Sequence, residues 1–201
     1  NTYTVVQVGG DVTGGTSCAL TTTRTWRAID ACGNSSVTKS QTITQVDTQA
    51  PTIGSAGGNA TIECTATPSF SAPTASDACN GATVNNLGTT TSTTGCTSVI
   101  TRRWDATDAC GNHSVTRTQV ITVVDTTPPT IGQAGADATV DCGGTPSFTP
   151  PTASDDCSGA TVNQLTNTST TNSDGSITYT KTWDATDACS NHSSTVTQNV
   201  T

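Results

Sequence analysis

The sequence contains no methionine and few aromatic side chains, with three tryptophans, two tyrosines and two phenylalanines among 201 residues. It has no long apolar run, so we predict that this segment neither spans nor enters a bilayer. No stretch carries a helical period of any length, so we expect no helix. The cysteines include no close Cys-x-x-Cys pair, and this spacing disfavours a structural zinc site.

Positive charge is also scarce. Seven lysine and arginine residues stand against fifteen acidic residues, which gives a formal net charge of −8. A nucleic-acid partner would require a basic face, and we therefore predict none. An acidic surface favours solubility and the binding of cations.

Cysteine and threonine are what the sequence has in abundance. Nine cysteines are spread along the chain, and threonine makes up about a quarter of it. Cysteine at this density in small repeated units indicates a disulfide framework in an oxidising compartment. The predicted location is therefore extracellular, at the cell surface.

One nine-residue phrase occurs three times, as "WRAIDACGN" from Trp26, "WDATDACGN" from Trp104 and "WDATDACSN" from Trp183. The segment "PTASD" also recurs, before Cys79 and before Cys157. Self-similarity at a fixed period indicates a repeat architecture. We predict the C-terminal half of one repeat at residues 1–47, a complete repeat at 48–125 and a nearly complete one at 126–201.

Runs rich in threonine and β-branched residues are typical of strands, and Gly/Pro-rich segments separate them. Six or seven strands per repeat predict an all-β fold of tandem immunoglobulin- or fibronectin-like sandwiches. Alternation along one strand places Trp104 in the core, with the stem of Arg102 over its ring. In the following hairpin turn we expect Gly111 to be left-handed and Asp108 to bond backbone amides.

The four cysteines of the complete repeat allow three pairings, all considered within the repeat. The second and the penultimate strand of a sandwich end at the same pole. Cys64 closes the first of these strands and Cys110 closes the other, so we predict the disulfide Cys64–Cys110. That choice leaves Cys79 to pair with Cys96.

The third repeat lacks one cysteine of this set, since Gly175 stands where Cys96 would be. The same scheme predicts Cys142–Cys189 there. It leaves Cys157 without a partner in its repeat, either as the remnant of a lost disulfide or as a cross-link to another chain.

The chemistry-bearing residues do not form a catalytic pattern. His113 and His192 occupy the same repeat position, and neither is related by a motif to a serine or cysteine nucleophile. We therefore predict that the protein is not an enzyme and needs no organic cofactor. Calcium is the metal to consider, because carboxylates are hard oxygen ligands, although no EF-hand spacing occurs. The candidate ligands are Asp77, Asp105, Asp108, Asp184 and Asp187.

Taken together, "PPTI", "ATVDC", "PTASDxC" and "WDATDACGN" resemble the hyalin-repeat-like (HYR-like) modules of large secreted surface adhesins of the Bacteroidota type. The resemblance covers essentially the whole chain. It implies an immunoglobulin-like sandwich, export to the cell surface and a role in adhesion or as a spacer. It supplies no catalytic residue.

These observations predict a structural and adhesive segment of a large secreted protein. The short, proline-bearing linkers "VDTQAPT" and "VVDTTPPT" favour a semi-rigid stalk or fibre. The expected partners are neighbouring repeats, other copies within a fibre, and surface glycans or other cells reached through other regions. The alternative is a glycan- or ligand-binding module. Ice binding is disfavoured, because it requires a threonine ladder with a much shorter period.

Overall fold

The structure is a computed structural model that describes residues 2–201, and within them all regular structure is β-strand. The first sheet is antiparallel and is built around the twelve-residue strand β3 (Ala19–Asp30). Strands β1 (Tyr3–Gln7) and β2 (Val12–Thr16) pair with one side of β3, and β4 (Lys39–Val46) pairs with the other. Threonine, valine and isoleucine are β-branched, and such residues pack well on a pleated surface.

The middle repeat contains two sheets. The larger has the strand order β6-β10-β9-β8, and the smaller pairs β5 with β7. The strand bounds are Thr52–Ile53 for β5, Ala60–Glu63 for β6, Ala75–Ser76 for β7, Ala82–Thr94 for β8, Thr97–Asp108 for β9 and Arg117–Val124 for β10.

The third repeat has the same two parts. A two-stranded sheet pairs β11 with β12, and a three-stranded antiparallel sheet has the order β13-β14-β15. The bounds are Thr130–Ile131 for β11, Ala153–Ser154 for β12, Ala160–Thr171 for β13, Ile177–Asp187 for β14 and Val196–Val200 for β15. The all-β prediction is confirmed. No helix in the described part of the chain is long and apolar enough to cross a membrane.

Contacts divide the chain into two compact units. The first comprises residues up to Gly58 together with Phe70–Thr89 and Arg102–Gln119, and the second comprises the rest. Each sheet nevertheless draws all its strands from one sequence repeat. The predicted boundaries at residues 47 and 125 stay a prediction.

The core of the middle repeat lies between its two sheets. Trp104 and Ala106 of β9 are buried together with Ile53 of β5, and Phe70 packs against this cluster. The core position predicted for Trp104 is thus observed. The Arg102 guanidinium lies over another ring, because its Cζ is 4.3 Å from the ring centroid of Phe70. Packing of its stem on Trp104 stays a prediction. A phenyl ring beside the tryptophan offers the cation a π face nearer to solvent.

The third repeat reproduces this arrangement. The Lys181 Nζ atom lies 4.7 Å from the ring centroid of Phe148. The Phe148 ring is tilted by 60° against the ring of Trp183, at a centroid distance of 6.5 Å. Offset and tilted ring pairs of this kind are favourable beyond their buried area.

Strand direction divides the cysteines of the middle repeat between two ends of its large sheet. Strand β6 runs parallel to β10, so both strands finish at the same end of the sheet. Cys64 follows β6 at this end, and the Cys64 N–H donates to the Val124 carbonyl at 2.8 Å. Cys96 lies at this same end, in the turn between β8 and β9. We call it the far end. Cys79, just before β8, and Cys110, just after β9, lie at the opposite, near end.

Candidate functional site at the repeat junctions

Three disulfides join the far end of one repeat to the near end of the next. Their Cα–Cα distances are 5.3, 5.9 and 5.5 Å, all within the range normal for disulfides. The paired cysteines are 92, 93 and 93 residues apart, so the register is the same at both junctions. The bonds are Cys18–Cys110, Cys64–Cys157 and Cys96–Cys189.

None of the predicted pairs occurs in the structure. Each would join opposite ends of one sheet. Cys79 and Cys96 lie at the two ends of β8, and Cys64 and Cys110 are separated because β6 is parallel and not antiparallel to its neighbour β10. Strand β8 alone has thirteen residues, which span about 40 Å, whereas a disulfide joins Cα atoms less than about 7 Å apart. The predicted pairs that the structure contradicts are Cys64–Cys110, Cys79–Cys96 and Cys142–Cys189.

Cys157 is also placed differently from its prediction. It is bonded to Cys64 of the preceding repeat, so it is neither unpaired nor a cross-link to another chain. The free cysteines are Cys32, Cys79 and Cys142, and all three are exposed.

Every near-end cysteine is held by the same local turn. An aspartate two residues earlier accepts a hydrogen bond from the cysteine backbone N–H through its Oδ1 atom, a typical Asx turn. The predicted role of Asp108 as an acceptor of backbone amides is therefore confirmed. The donor and acceptor pairs are Cys32 and Asp30 at 2.9 Å, and Cys79 and Asp77, Cys110 and Asp108, Cys157 and Asp155, and Cys189 and Asp187, each at 2.8 Å.

The hairpin turn after each tryptophan strand needs a left-handed residue. Gly33 and Gly111 both have φ at 85°, as predicted for Gly111, and Ser190 adopts a φ of 69° at the same position. Glycine reaches this region without steric cost, whereas a residue with a Cβ atom is strained there. The third repeat therefore holds its turn with a strained serine.

Hydrogen bonds keep the turn aspartates ionised. Burial raises the pKa of Asp108, but the side-chain amide of Asn112 and the backbone N–H groups of the turn outweigh it and lower the pKa below its ordinary value. The same balance lowers the pKa of Asp187, with Asn191 as the amide donor. At neutral pH both groups are carboxylates, the form that accepts these bonds.

At the junction between the first sheet and the middle repeat, a linker aspartate accepts hydrogen bonds from the near end of the middle repeat. The Asp47 N–H donates to the carbonyl of Cys18 at 3.0 Å, which ties the linker to the far end of the first sheet. The Asn80 side-chain amide then donates to the Asp47 carboxylate at 3.2 Å and to the Ser17 carbonyl at 3.1 Å. The Asn112 amide donates to the Asp47 carbonyl at 3.4 Å. Residues of three segments thus converge beside the disulfide.

The second junction repeats this arrangement around a buried aspartate. Ser158 donates through Oγ to the Asp125 carboxylate at 2.9 Å, and the Asn191 amide donates to the Asp125 carbonyl at 3.3 Å. The Thr126 N–H donates to Glu63 at 3.1 Å, and the Thr126 hydroxyl also donates to that carboxylate. The two junctions therefore share their disulfide register and their aspartate anchor.

Carboxylates and sulfurs come within 4.8 Å of one another at these junctions, in the clusters Asp47/Asp77/Cys79, Asp125/Asp187/Cys189 and Cys64/Asp125/Cys157. In the last two the sulfurs are already in disulfides, so they supply no thiolate ligand. In the first, the nearby carboxylate of Asp47, then burial, raise the pKa of the Cys79 thiol. A soft-metal site is therefore a poor fit, and calcium binding stays a prediction.

The remaining calcium candidates lie in a different network. Asp105 Oδ1 accepts from the Asn85 amide at 2.9 Å, and its Oδ2 lies 3.1 Å from His113 Nδ1. The Asn85 amide also donates to the Thr107 hydroxyl at 2.7 Å. The third repeat has the same contacts among Asn163, Asp184, Thr186 and His192. The five candidate aspartates are thus divided between two kinds of site. Asp105 and Asp108 have no hydrogen-bond partner in common.

Comparison with protein families gives a match to the middle of the chain. The family model of the HYR-like domain with 4 cysteines matches residues 52–123, a range that includes Cys64, Cys79, Cys96 and Cys110. The middle of the chain is thus similar to an HYR-like domain, and the Bacteroidota type of adhesin stays a prediction. No curated protein matches the chain.

Among solved structures, the crystal structure of Drosophila N-cadherin EC1-4 is similar at 11% sequence identity and a TM-score of 0.26. The alignment covers 90% of this chain and 58% of that chain. A similarity of this size carries no argument about function.

Proposed function

We propose that this chain is a non-catalytic segment of a large secreted surface protein of the bacterial adhesin type, and that it transmits tension. In this role it forms a semi-rigid stalk or fibre for attachment. The observation that carries the proposal is the register of the three disulfides, each of which joins one repeat to the next. Disulfides persist in the oxidising space outside the cell, which suits such a location.

The disulfides shorten the covalent route through the chain. Tension applied between residues 1 and 201 passes along residues 1–18, crosses to Cys110, returns to Cys96 and crosses again to Cys189. About 46 of the 201 residues lie on this route, which at full extension is about 160 Å long. Without disulfides the extended chain would reach about 700 Å. The rest of the protein is shielded from unravelling under load.

Pulling single molecules between tethers at the two chain ends tests this proposal directly. We expect the oxidised protein to stop extending at about 160 Å, and the reduced protein to reach about 700 Å. Disulfides confined to single repeats, Cys64–Cys110 and Cys142–Cys189, would instead leave about 110 residues extensible, or about 370 Å. A limit near that value would overturn the proposal.

The matched control is Cys32→Ser, which removes a free thiol and leaves the covalent route unchanged. Its extension limit should equal that of the unmodified protein. The proposed partners are neighbouring repeats and other copies in a fibre, with surface glycans or other cells bound through other regions. A glycan array with the oxidised chain separates this stalk role from a binding module, since a stalk gives no signal.

A further inference from the structure

The disulfides follow a rule that can be applied beyond the three observed bonds. The far-end position of Cys64 bonds the near-end position of Cys157 in the next repeat. The far-end position shared by Cys18 and Cys96 bonds the near-end position shared by Cys110 and Cys189. Each repeat therefore presents its far end to the near end of the repeat that follows.

The far end of the third repeat is free of such a partner among the described residues. Cys142 stands at the position of Cys64, and it is exposed and unbonded. The backbone around it is organised as in the middle repeat, because Ala138 pairs with Val200 in parallel, as Ala60 pairs with Ile121. The Val140 N–H donates to the Thr201 carbonyl at 2.9 Å, which continues this pairing towards the cysteine.

Gly175 belongs to the connection between β13 and β14, at the same end of the sheet as Cys142. The corresponding end of the middle repeat is occupied by the third repeat, through two disulfides and the contact between Glu63 and Thr126.

We propose that the far end of the third repeat is a docking face for a further repeat of this type. Cys142 bonds the cysteine that follows "PTASD" in that repeat. The inference rests on the same cross-linking rule as the proposed function and names the partner of one junction. In the bonding step the two thiols lose two protons and two electrons. These reduce one low-molecular-weight disulfide to two thiols, and one protein disulfide forms.

This junction differs from the previous one in carrying a single disulfide. The turn between β8 and β9 consists of Gly95 and Cys96, whereas residues 172–176 connect β13 and β14 and contain no cysteine. The incoming repeat therefore keeps the thiol that corresponds to Cys189. A junction with one bond and one free thiol is easier to reduce completely than a junction with two bonds.

The test is an extended chain in which a second copy of residues 123–201 follows Thr201. The copy begins at residue 123 because Thr201 corresponds to Thr122 of the middle repeat. After refolding with oxidised and reduced glutathione, free thiols are alkylated and disulfides are mapped by mass spectrometry. We expect Cys142 to be bonded to the copied Cys157, and the copied Cys189 to be alkylated. Cys142 found alkylated, or bonded to the copied Cys189, would overturn the inference.

The matched control carries Cys157→Ser in the appended copy, and Cys142 should then be alkylated. The three disulfides of the first 201 residues are mapped in the same experiment. Their loss would contradict the proposed function, whereas their presence with a free Cys142 contradicts the docking face alone.

A second measurement uses the unextended protein and does not depend on folding of the appended copy. A synthetic peptide of residues 147–159 carries its cysteine as a mixed disulfide with glutathione. The protein thiolate attacks the peptide sulfur, and glutathione leaves as a thiol. Rates are divided by those for oxidised glutathione, which corrects for intrinsic reactivity. The peptide should favour Cys142 over Cys32, and equal corrected rates would contradict the docking face.

Discussion

The first sheet and the middle repeat share a hairpin motif but differ in how well it is covered. Ile43 of β4 is 62% exposed, whereas Ile121, at the same repeat position in β10, is 2% exposed. Gln41 is likewise exposed, and its counterpart Gln119 is buried. The strands form in both regions, so strand formation and core closure depend on different parts of the repeat.

The first half of the repeat supplies the cover. Gln119 accepts from the Ser71 N–H at 2.9 Å and donates to the Gly58 carbonyl at 2.9 Å, which fixes two segments over the sheet. A Cβ atom at Gly57 would lie 2.8 Å from the Gln119 side-chain amide, so a larger residue there would displace that amide. Among the described residues the side chains of β4 are all exposed, and no comparable segments lie over them.

The largest expected effect concerns the bond between these two regions. Because no strand of the first sheet carries a buried side chain among the described residues, we expect this sheet to depend on the Cys18–Cys110 bond. Replacing both cysteines by serine should lower the free energy of unfolding of this region by about 4–5 kcal/mol, the estimate for a loop of this length. Hydrogen exchange of the β3 and β4 amides measures it.

Cys32→Ser is the control for that variant, because it removes a free, exposed thiol from the same region. Its effect should stay within about 0.5 kcal/mol. Equal exchange rates in the double variant and in the control would show that the disulfide does not hold the first sheet.

The paired isoleucines give the next largest effect. Ile121→Ala removes a buried side chain and should cost about 2–5 kcal/mol of unfolding free energy. Ile43→Ala makes the same chemical change at an exposed position and should cost less than about 0.5 kcal/mol. Denaturant titration of both variants compares them. Similar losses would mean that the first sheet is covered in solution.

Much of the fold could be predicted from the repeats. Threonine-rich alternation predicted the strands, and the alternation around Trp104 predicted its burial. The partner of the neighbouring cation was missed, because Phe70 lies more than thirty residues away in sequence and no local pattern joins it to Arg102. Local periodicity specifies which face is buried, but not which residue covers it.

The disulfides were missed because their pairing depends on strand direction. The strand-end argument required β6 and β10 to be antiparallel, and they are parallel. The sequence did hold a usable signal, since Gly175 at the position of Cys96 left Cys157 without a partner. Shifting the pairing by one repeat resolves that difficulty, and the same shift accounts for which cysteines remain free.

The hairpin turns offer a smaller test within the same comparison. Ser190→Gly should raise the free energy of unfolding by about 1 kcal/mol, because it relieves the left-handed serine. Gly111→Ser should lower the free energy of unfolding by a similar amount. Backbone strain is the expected cause there, since a Cβ atom at Gly111 would meet nothing within 4 Å and so would not clash. Thermal denaturation of both variants measures the two signs. Two shifts of the same sign would contradict this account of the turn.

The smallest effect expected is the acid dependence of the turns. Hydrogen bonds from Asn34 lower the pKa of the exposed Asp30. Burial raises the pKa of Asp108, but hydrogen bonds from Asn112 and the turn amides outweigh it and lower this pKa as well. A carboxyl whose pKa is lowered by folding stabilises the fold above its unfolded value of about 3.9, and this contribution is lost as the pH falls through the folded value. Stability should therefore be steady from neutral pH to about 5 and decline below about 4.

Asp108→Asn should flatten that decline more than Asp30→Asn, because water competes for the hydrogen bonds of the exposed Asp30 carboxylate. Denaturant midpoints at pH 7 and pH 3 measure the difference, and an equal decline in both variants and the parent would place the acid sensitivity elsewhere.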